Sequence, residues 1–252
     1  MHLIKPKVEI LDRLDERAIV GRIATVARTC YKSEGMRTAD RDYALIKRLI
    51  ESKHEAMLEF VDITVKFTCD RITSQSIVRH RMASFAQEST RYCNYSKDKF
   101  NNELTFIIPS WLDIPEGRYK YNHNCTWVNA DNTDEVFVDF RDEINNYKEK
   151  EATAINTWLT SLGTAEEAYI RLTQTYNKQA QQARMVLPMS IKTEINMKAN
   201  LREWRHFFKL RCHSTAHPDI RVLALDLLKQ MHEQIPVIFD DLYDTYFNNG
   251  DK

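Results

Sequence analysis

Glycine is scarce in this chain, with only five residues among 252. None of the five belongs to a Gly-x-Gly-x-x-Gly or a Gly-x-x-x-x-Gly-Lys loop, the two patterns in which backbone amides surround a phosphate. A nucleotide cannot be held here by a glycine-rich backbone cradle. Any phosphate-bearing ligand has to be bound by side chains, so the arginines become the main guide to function.

Long apolar runs and paired cysteines are also missing. No apolar stretch approaches the length of a membrane span, and the first residues do not have the character of a signal peptide. The five cysteines are widely spaced and include no Cys-x-x-Cys pair, which argues against a disulfide framework or a zinc module. We expect a cytoplasmic protein with no metal site and no membrane partner.

Neither sign of charge is in excess, because 36 basic side chains balance 36 acidic ones. A general nucleic-acid binder normally shows a marked basic excess, so we expect no nucleic-acid partner. The length is typical of a single domain with one sizeable core, and we expect one domain over residues 1–252.

Hydrophobic patterning predicts an α+β chain with a mixed or antiparallel sheet flanked by helices. Apolar and polar residues alternate over 61–69 and over 191–199, as in strands with one wet face. A third strand is predicted over 104–108. Helical spacing follows Asp40, a capping box at Thr164–Glu167 predicts the start of a second helix running toward Ala183, and Pro218 begins a third. For the third helix the residues predicted to face inward are Val222, Leu225, Leu228 and Met231.

The segment from about 113 to 156 differs from the rest of the chain. It is rich in Asn, Asp, Glu and Lys and is weakly patterned. Such composition is typical of a surface loop, and we expect a polar surface insertion rather than a separate domain.

The most informative run extends from Arg79 to Arg91 and contains three arginines, a histidine and two serines within thirteen residues. Each arginine offers a rigid fork of donors that matches phosphate or carboxylate oxygens, so converging arginines indicate an anionic ligand. A solvated helix surface is the simpler interpretation for an isolated Arg-His-Arg triplet. The longer spacing, Arg-His-Arg-x-x-Ser-x-x-Gln-x-Ser-x-Arg, favours a binding site.

This pattern resembles the signature of the flavin-dependent thymidylate synthases. The similarity extends to the segment 53–60, to Ala183–Pro188 and to the helix-like segment 200–211, in the same order and with matching spacing. The family signature usually has Asn at the position of Ala86 and Glu at the position of Gln87. These two departures imply one missing polar contact and a less negative site.

The resemblance implies an enzyme that methylates dUMP to dTMP. Methylenetetrahydrofolate would supply the carbon, and FAD reduced by NADPH would supply the hydride. The same resemblance implies a homotetramer whose active sites lie between subunits.

The resemblance also implies roles for individual residues. The expected FAD-binding residues are His54, Ala56, Arg79, His80, Arg81, Gln87, Asn200, Arg202 and His206. The expected dUMP-binding residues are Ser76, Arg79, Gln87, Glu88, Ser89, Thr90, Arg91, Arg184 and Arg211. Arg211 is expected to be catalytic, because its charge would stabilise negative charge at nitrogen 3 of uracil and make carbon 5 nucleophilic. His54 is as well explained by a structural role at a helix end.

Other interpretations remain open. Cys212–His213 could supply a thiolate nucleophile, as in the unrelated cysteine-dependent thymidylate synthases. Cys212, His213 and His217 could instead bind a metal ion. The arginines near Tyr92 and Tyr95 could belong to a non-catalytic protein that binds single-stranded nucleic acid or nucleotides.

Overall fold

A computed structural model of the chain describes residues 1–32, 37–121, 127–131, 136–137 and 147–248. Its strands are β1 His2–Ile4, β2 Lys7–Ile10, β3 Asp62–Asp70, β4 Ala83–Gln87, β5 Thr105–Ile107, β6 Gly117–Tyr121, β7 Trp127–Asn129, β8 Val136–Phe137 and β9 Lys192–Asn200. Its α-helices are α1 Glu16–Tyr31, α2 Ala39–Glu51, α3 Arg71–Ile77, α4 Tyr147–Ile170, α5 Ala180–Ala183, α6 Leu201–Arg211, α7 Pro218–Gln234 and α8 Pro236–Tyr243. Short 3₁₀ turns cover Glu55–Phe60, Asp98–Phe100 and Arg184–Val186, and π-helical turns cover Arg171–Thr175 and Asp244–Asn248.

The chain divides into two compact units. The first unit consists of Met1–Pro6, Cys69–Ile72 and Gln87–Thr193, and the second consists of Lys7–Thr68, Thr73–Ala86 and Glu194–Lys252. Both units combine helices with a sheet, so the expected α+β class is confirmed.

The first unit contains a five-stranded sheet in the order β5-β1-β6-β7-β8. Strand β1 runs parallel to β5 and antiparallel to β6, which makes this sheet mixed. Its core includes Leu3, Phe106, Tyr119 and Tyr169, all less than 2% exposed. The core therefore joins residues from the start of the chain to residues of α4.

The second unit contains most of a four-stranded sheet in the order β2-β3-β9-β4, with β2 antiparallel to β3. The alternation seen in the sequence is realised here, since Ile63, Val65 and Phe67 of β3 and Ile195 and Met197 of β9 are fully buried. The predicted strands over 61–69, 104–108 and 191–199 are thus confirmed.

Helix α6 is fixed to this sheet by its aromatic residues. The indole Nε1 of Trp204 donates a hydrogen bond to the carbonyl oxygen of Ile63 at 3.0 Å. The ring of Phe67 lies 6.4 Å from that of Trp204 and 6.0 Å from that of Phe207. Because these buried rings set the rotation of α6, they also determine which of its polar side chains face the rest of the unit.

Two helix predictions were wrong. Thr164–Glu167 does not begin a helix but lies inside α4, and the chain between Ile170 and Ala180 does not continue as α-helix. The Glu166 carboxylate accepts from the backbone nitrogen of Leu104 at 2.8 Å and pairs with the N-terminal ammonium at 3.1 Å, so it serves tertiary structure rather than a cap. In α7 the prediction is confirmed for Leu228 and Met231, which are fully buried, whereas Leu225 is partly exposed and Val222 is 50% exposed.

The described part of the segment 113–156 does not match an unpatterned surface. It contributes β6, β7 and the start of α4, and Ile114, Tyr119 and Trp127 are buried in the core of the first unit. Residues 122–126, 132–135 and 138–146 of this predicted insertion lie outside the described residues. Three positions of this segment thus belong to the core of the first unit, and the polar surface insertion over 113–156 stays a prediction.

Candidate active site

Asn200 caps the N-terminus of α6. Its side-chain oxygen accepts a hydrogen bond from the backbone nitrogen of Glu203 at 2.8 Å, which satisfies one of the free amides at the helix start. Arg202 and His206, four residues apart, are exposed on the same face of the helix. Arg202 pairs with Glu59 at 2.6 Å, but both side chains are about half exposed, so this ion pair adds little stability.

His80 lies at the centre of a buried polar group in the second unit and is only 3% exposed. Its Nδ1 is 3.1 Å from Oε1 of Glu203, and its Nε2 accepts a hydrogen bond from Nε of Arg211 at 3.1 Å. The ring also packs 4.9 Å from the ring of Phe207 and 6.0 Å from that of His206. Both ring nitrogens of His80 are therefore used within the protein.

The surroundings of His80 keep its imidazole neutral. Burial lowers its pKa to about 4, and the nearby charges of Arg211 and His206 act in the same direction. Burial raises the pKa of Glu203, against the opposing effect of His206. Because an arginine nitrogen can only donate, Nε2 of His80 carries the lone pair, and the proton sits on Nδ1, where it is donated to Glu203.

Arg211 ends α6 with a half-buried guanidinium. Besides the bond from Nε to His80, its Nη2 donates to the carbonyl oxygen of Ser76 at 3.1 Å. Burial lowers the pKa of Arg211, and the charge of Arg79 lowers it further, although a guanidinium stays protonated at any working pH. Ser76, His80 and Arg211, three of the predicted site residues, are thus brought into direct contact.

Arg79 and Arg81 flank the buried His80 in the chain but are themselves exposed. Among the described residues neither guanidinium has a carboxylate or hydrogen-bond partner. Two free forks of donors beside a buried polar group form a set that suits the diphosphate or the ring oxygens of a dinucleotide. The donor set expected for FAD is therefore chemically suitable.

His54 and Ala56 lie at the start of the 3₁₀ turn Glu55–Phe60, and both are exposed. This turn is anchored by Arg205, which is 1% exposed and whose Nε donates to Glu55 at 3.0 Å. Arg205 also binds both carboxylate oxygens of Asp241 at 2.7 Å. Burial raises the pKa of Glu55, but Arg205 and Lys209 outweigh it and keep that pKa below its usual range.

A second polar cluster lies in the first unit, around Glu88, the residue that follows β4. The carboxylate of Glu88 accepts from the hydroxyl of Tyr95 at 2.9 Å and pairs with Lys192 at 3.1 Å. Burial raises the pKa of Tyr95, and the charge of Glu88 raises it further, so the phenol stays protonated. Glu88 is therefore occupied by two protein partners.

Thr193 connects two further members of this cluster. Its hydroxyl oxygen accepts from Nε2 of Gln87 and from Nη1 of Arg71, each at 3.2 Å. The same Nη1 of Arg71 lies 3.4 Å from the carbonyl oxygen of Glu88. These contacts orient the backbone that carries Gln87 and Glu88 into the following residues.

The two residues predicted to bind a phosphate, Arg91 and Arg184, belong to the same unit as this cluster. Nη1 of Arg184 donates to the hydroxyl of Thr90 at 3.3 Å, so these two predicted residues are brought together. The backbone nitrogen of Arg91 lies 3.3 Å from the hydroxyl of Ser89, and its guanidinium lies 5.5 Å from the centre of the Tyr92 ring. Among the described residues neither arginine has a carboxylate partner, which leaves both charges available to an anion.

Several polar residues of these clusters were not found from the sequence. They are Glu203, Lys192, Thr193 and Arg71. Glu203 follows the capping residue Asn200 by three positions, where an acidic residue is common in any helix. The sequence therefore offered no signal that this carboxylate faces His80.

The alternatives based on Cys212 find little support in the geometry. Cys212 is fully buried at the end of α6, and its sulfur is not presented to a ligand. Within the described ranges no group of three or more His, Cys, Asp or Glu side chains is arranged to hold a metal ion. His213 instead contacts the hydroxyl of Thr215 at 2.8 Å.

Comparison with known proteins identifies the class. The family model described as thymidylate synthase complementing protein matches residues 16–237. A flavin-dependent thymidylate synthase of Corynebacterium aurimucosum is 30% identical over 228 residues, which cover 88% of this chain and 80% of that protein. Another, of Pyrococcus furiosus, is 32% identical over 187 residues, covering 74% of this chain and 61% of that protein.

A solved structure agrees in fold. The UMP/dUMP methylase PolB from Streptomyces cacaoi, bound with 5-Br UMP, superposes with a TM-score of 0.67 at 20% identity, covering 98% of this chain and 97% of that one. The chain belongs to the flavin-dependent thymidylate synthase family. This membership confirms the predicted resemblance and does not favour a non-catalytic nucleic-acid-binding protein.

Of the helices that the structure describes, none is long and apolar enough to cross a bilayer.

Proposed function

We propose that this protein methylates dUMP to dTMP, with methylenetetrahydrofolate as carbon donor and NADPH as the source of reducing equivalents. The observation that carries the proposal is the half-buried guanidinium of Arg211, bonded to His80 and to the carbonyl oxygen of Ser76. Family membership and the dUMP methylase activity named for a protein of the same fold support the same reaction.

FAD is the proposed cofactor, and when bound it supplies the hydride that completes the methyl group. The proposed contacts come from Arg79, Arg81 and Arg202, together with the exposed His206 and the turn that begins at His54. Within the described ranges, Arg79 and Arg81 have free donors for an anionic group. Asn200 is committed to capping α6, so its proposed role is to fix the helix start.

The proposed nucleotide-binding residues are those that follow β4. Arg91 and Arg184 are the proposed phosphate ligands, because both are exposed cations without a carboxylate partner among the described residues. The hydroxyls of Ser89 and Thr90 add neutral donors next to them. Gln87 and Glu88 have protein partners, and we infer that they shape the backbone of this segment.

Arg211 is the proposed catalytic residue. A fixed positive charge beside uracil favours loss of the proton on ring nitrogen 3 to solvent, and it stabilises the negative charge left on the ring. This charge raises the electron density at carbon 5, which becomes the nucleophile. Such a fixed positive charge is worth much more in a partly buried site than in bulk water. No covalent bond to the protein is needed, in keeping with the burial of Cys212.

A homotetramer in the cytoplasm is the proposed form of the enzyme. Large apolar side chains that are exposed in the single chain support assembly, among them Tyr92 at 77% and Met185 at 82% exposure. Light scattering should give about four times the chain mass of 29.7 kDa. A fully active monomer would contradict shared active sites.

The test of the function combines a spectrum with a product assay. The purified protein should show a flavin absorption spectrum and convert dUMP to dTMP only when methylenetetrahydrofolate and NADPH are both present. Each component would be omitted in turn, and dTMP would be measured by chromatography. A colourless protein that binds oligonucleotides in a salt-sensitive way would support the nucleic-acid alternative instead.

A further inference from the structure

In the second unit a carboxylate, an imidazole and a guanidinium form a chain of hydrogen bonds. Glu203 Oε1 lies 3.1 Å from Nδ1 of His80, and Nε2 of the same ring lies 3.1 Å from Nε of Arg211. His80 and Glu203 are buried, with 3% and 9% of their surfaces exposed. A carboxylate is costly to bury unless it is hydrogen-bonded, so its contact with His80 is a built feature of the fold.

The direction of each hydrogen bond follows from the chemistry of the groups. Arginine nitrogens only donate, so Nε2 of His80 must offer its lone pair to Arg211. The ring proton then resides on Nδ1, and the carboxylate of Glu203 accepts it. If Glu203 did not accept that proton, the ring could also carry it on Nε2, and an N–H would then face the N–H of Arg211.

We propose that Glu203 and His80 are positioning residues, which hold the guanidinium of Arg211 in place by fixing the imidazole in its Nδ1–H form. The inference rests on the proposed function, in which Arg211 stabilises charge on the uracil ring. With Nε bound to His80 and Nη2 bound to the carbonyl oxygen of Ser76, the plane of the guanidinium is set from two sides. Nη1 makes no hydrogen bond among the described residues.

The inference changes the expected role of His80. Its two ring nitrogens are both occupied, so a hydrogen bond to the cofactor has to come from its backbone rather than its imidazole. Glu203 also differs from an ordinary acidic residue near a helix start, because its carboxylate bonds to His80 while its backbone nitrogen is capped by Asn200. The adjacent Phe207 ring, 4.9 Å from that of His80, limits rotation of the imidazole.

The experiment compares two substitutions that differ only in hydrogen bonding. Glu203→Gln keeps an acceptor for Nδ1–H, whereas Glu203→Met keeps the length of the side chain without an acceptor. The tautomer of His80 would be read by nitrogen NMR of histidine-labelled protein, with His80→Gln assigning the signal. Turnover and KM for dUMP would be measured beside it, and Glu167→Met on an exposed part of α4 would be the control.

We expect the wild-type ring to carry its proton on Nδ1, and Glu203→Gln to keep both that form and turnover within about threefold. Glu203→Met should show a mixed tautomer and lose about ten- to a hundredfold in turnover, with a smaller change in KM, since misplacing a catalytic group by about 1 Å has such a cost. The control should match the wild type in all three measurements.

Three results would overturn the inference. They are a wild-type ring protonated on Nε2, a Glu203→Met variant that keeps both tautomer and turnover, and equal losses in the Gln and Met variants. If Glu203→Met does not fold, the wild-type tautomer and the Gln variant still decide. Failure of the proposed function is separate, because a wild-type protein that makes no dTMP still reports its His80 tautomer.

Discussion

Arg211 and Arg184 are both predicted to contact the substrate, yet the structure holds them differently. Arg211 is half-buried, and two of its nitrogens bond to His80 and to the Ser76 carbonyl. Arg184 is exposed, and its Nη1 donates to the hydroxyl of Thr90 at 3.3 Å. Neither guanidinium is neutralised by a carboxylate among the described residues.

The difference matches the two tasks that a charge can perform. A charge that stabilises a transition state must be in place before reaction and shielded from water, because reorganisation then costs nothing during the chemical step. A charge that captures a phosphate gains from exposure, since it can meet the ligand in solvent and adjust to it. Substitutions at the two sites should therefore change different kinetic constants.

The largest effect is expected for Arg211→Ala. Turnover should fall by about a hundred- to a thousandfold, the usual cost of removing a preorganised group that stabilises developing charge. KM for dUMP should change far less, and the variant should still fold and carry flavin. NADPH-dependent dTMP formation under single-turnover conditions would measure the loss. Retention of more than a tenth of the activity would refute the catalytic role of Arg211.

The burial of His80, the partner of Arg211, should also make the free energy of unfolding depend on pH. The pKa of His80 is lowered to about 4 from an ordinary value of 6.5, so the unfolded chain takes up the proton first as pH falls. Stability is therefore retained above about pH 6.5 and is lost as pH drops toward 4. The raised pKa of Glu203 acts in the opposite sense, favouring the folded state at low pH.

His80 alone should contribute a loss of roughly 3 kcal/mol between pH 7 and pH 4, and the raised pKa of Glu203 should make the net loss from this site smaller. Denaturant unfolding of the wild type and of His80→Gln would measure it, with the exposed His217→Gln as control. The His80 variant should show a shallower decline than either of the other two. Equal slopes in all three proteins would contradict a buried, neutral His80.

A smaller effect, on binding, is expected for Arg184→Ala. KM for dUMP should rise about tenfold, the value of one charge-assisted hydrogen bond to a phosphate, while turnover stays within about threefold. The rise should be smaller at high salt, because exposed charges are screened. Arg171→Ala, an exposed arginine paired with Glu167, is the matched control and should leave KM unchanged. A loss confined to turnover would place Arg184 among the catalytic groups.

The sequence predicted those features of the two sites that depend on local residue patterns. Alternating residues located β3 and β9, and the spacing from Arg79 to Arg91 located both clusters through their shared segment. The sequence did not reveal that Arg211 is half-buried and Arg184 exposed. The burial of Arg211 depends on the aromatic packing of α6 against β3. Glu203 was missed for the same reason, since its partner His80 lies 123 positions away in the chain.

The errors in the helices have a common cause as well. Thr164–Glu167 has the residues of a capping box, but its glutamate is drawn to the backbone of Leu104 and to the chain's own amino group. In α7 the predicted Leu228 and Met231 are buried, but the packed face also includes Leu223 and Leu227, and Val222 lies outside it. In each case a tertiary contact outweighed a local preference.

The smallest effect is expected at the residue next to Arg211. Cys212→Ala should keep turnover within about threefold, because a buried cysteine behaves largely as a small hydrophobe and no thiolate attack is needed. The variant would be assayed beside Arg211→Ala, after both are shown to fold and to carry flavin. An inactive Cys212→Ala with an active Arg211→Ala would indicate covalent catalysis. Equal losses in both would point to damage at the shared end of α6, and Arg211→Lys, which keeps the charge but not the planar fork, would then separate charge from geometry.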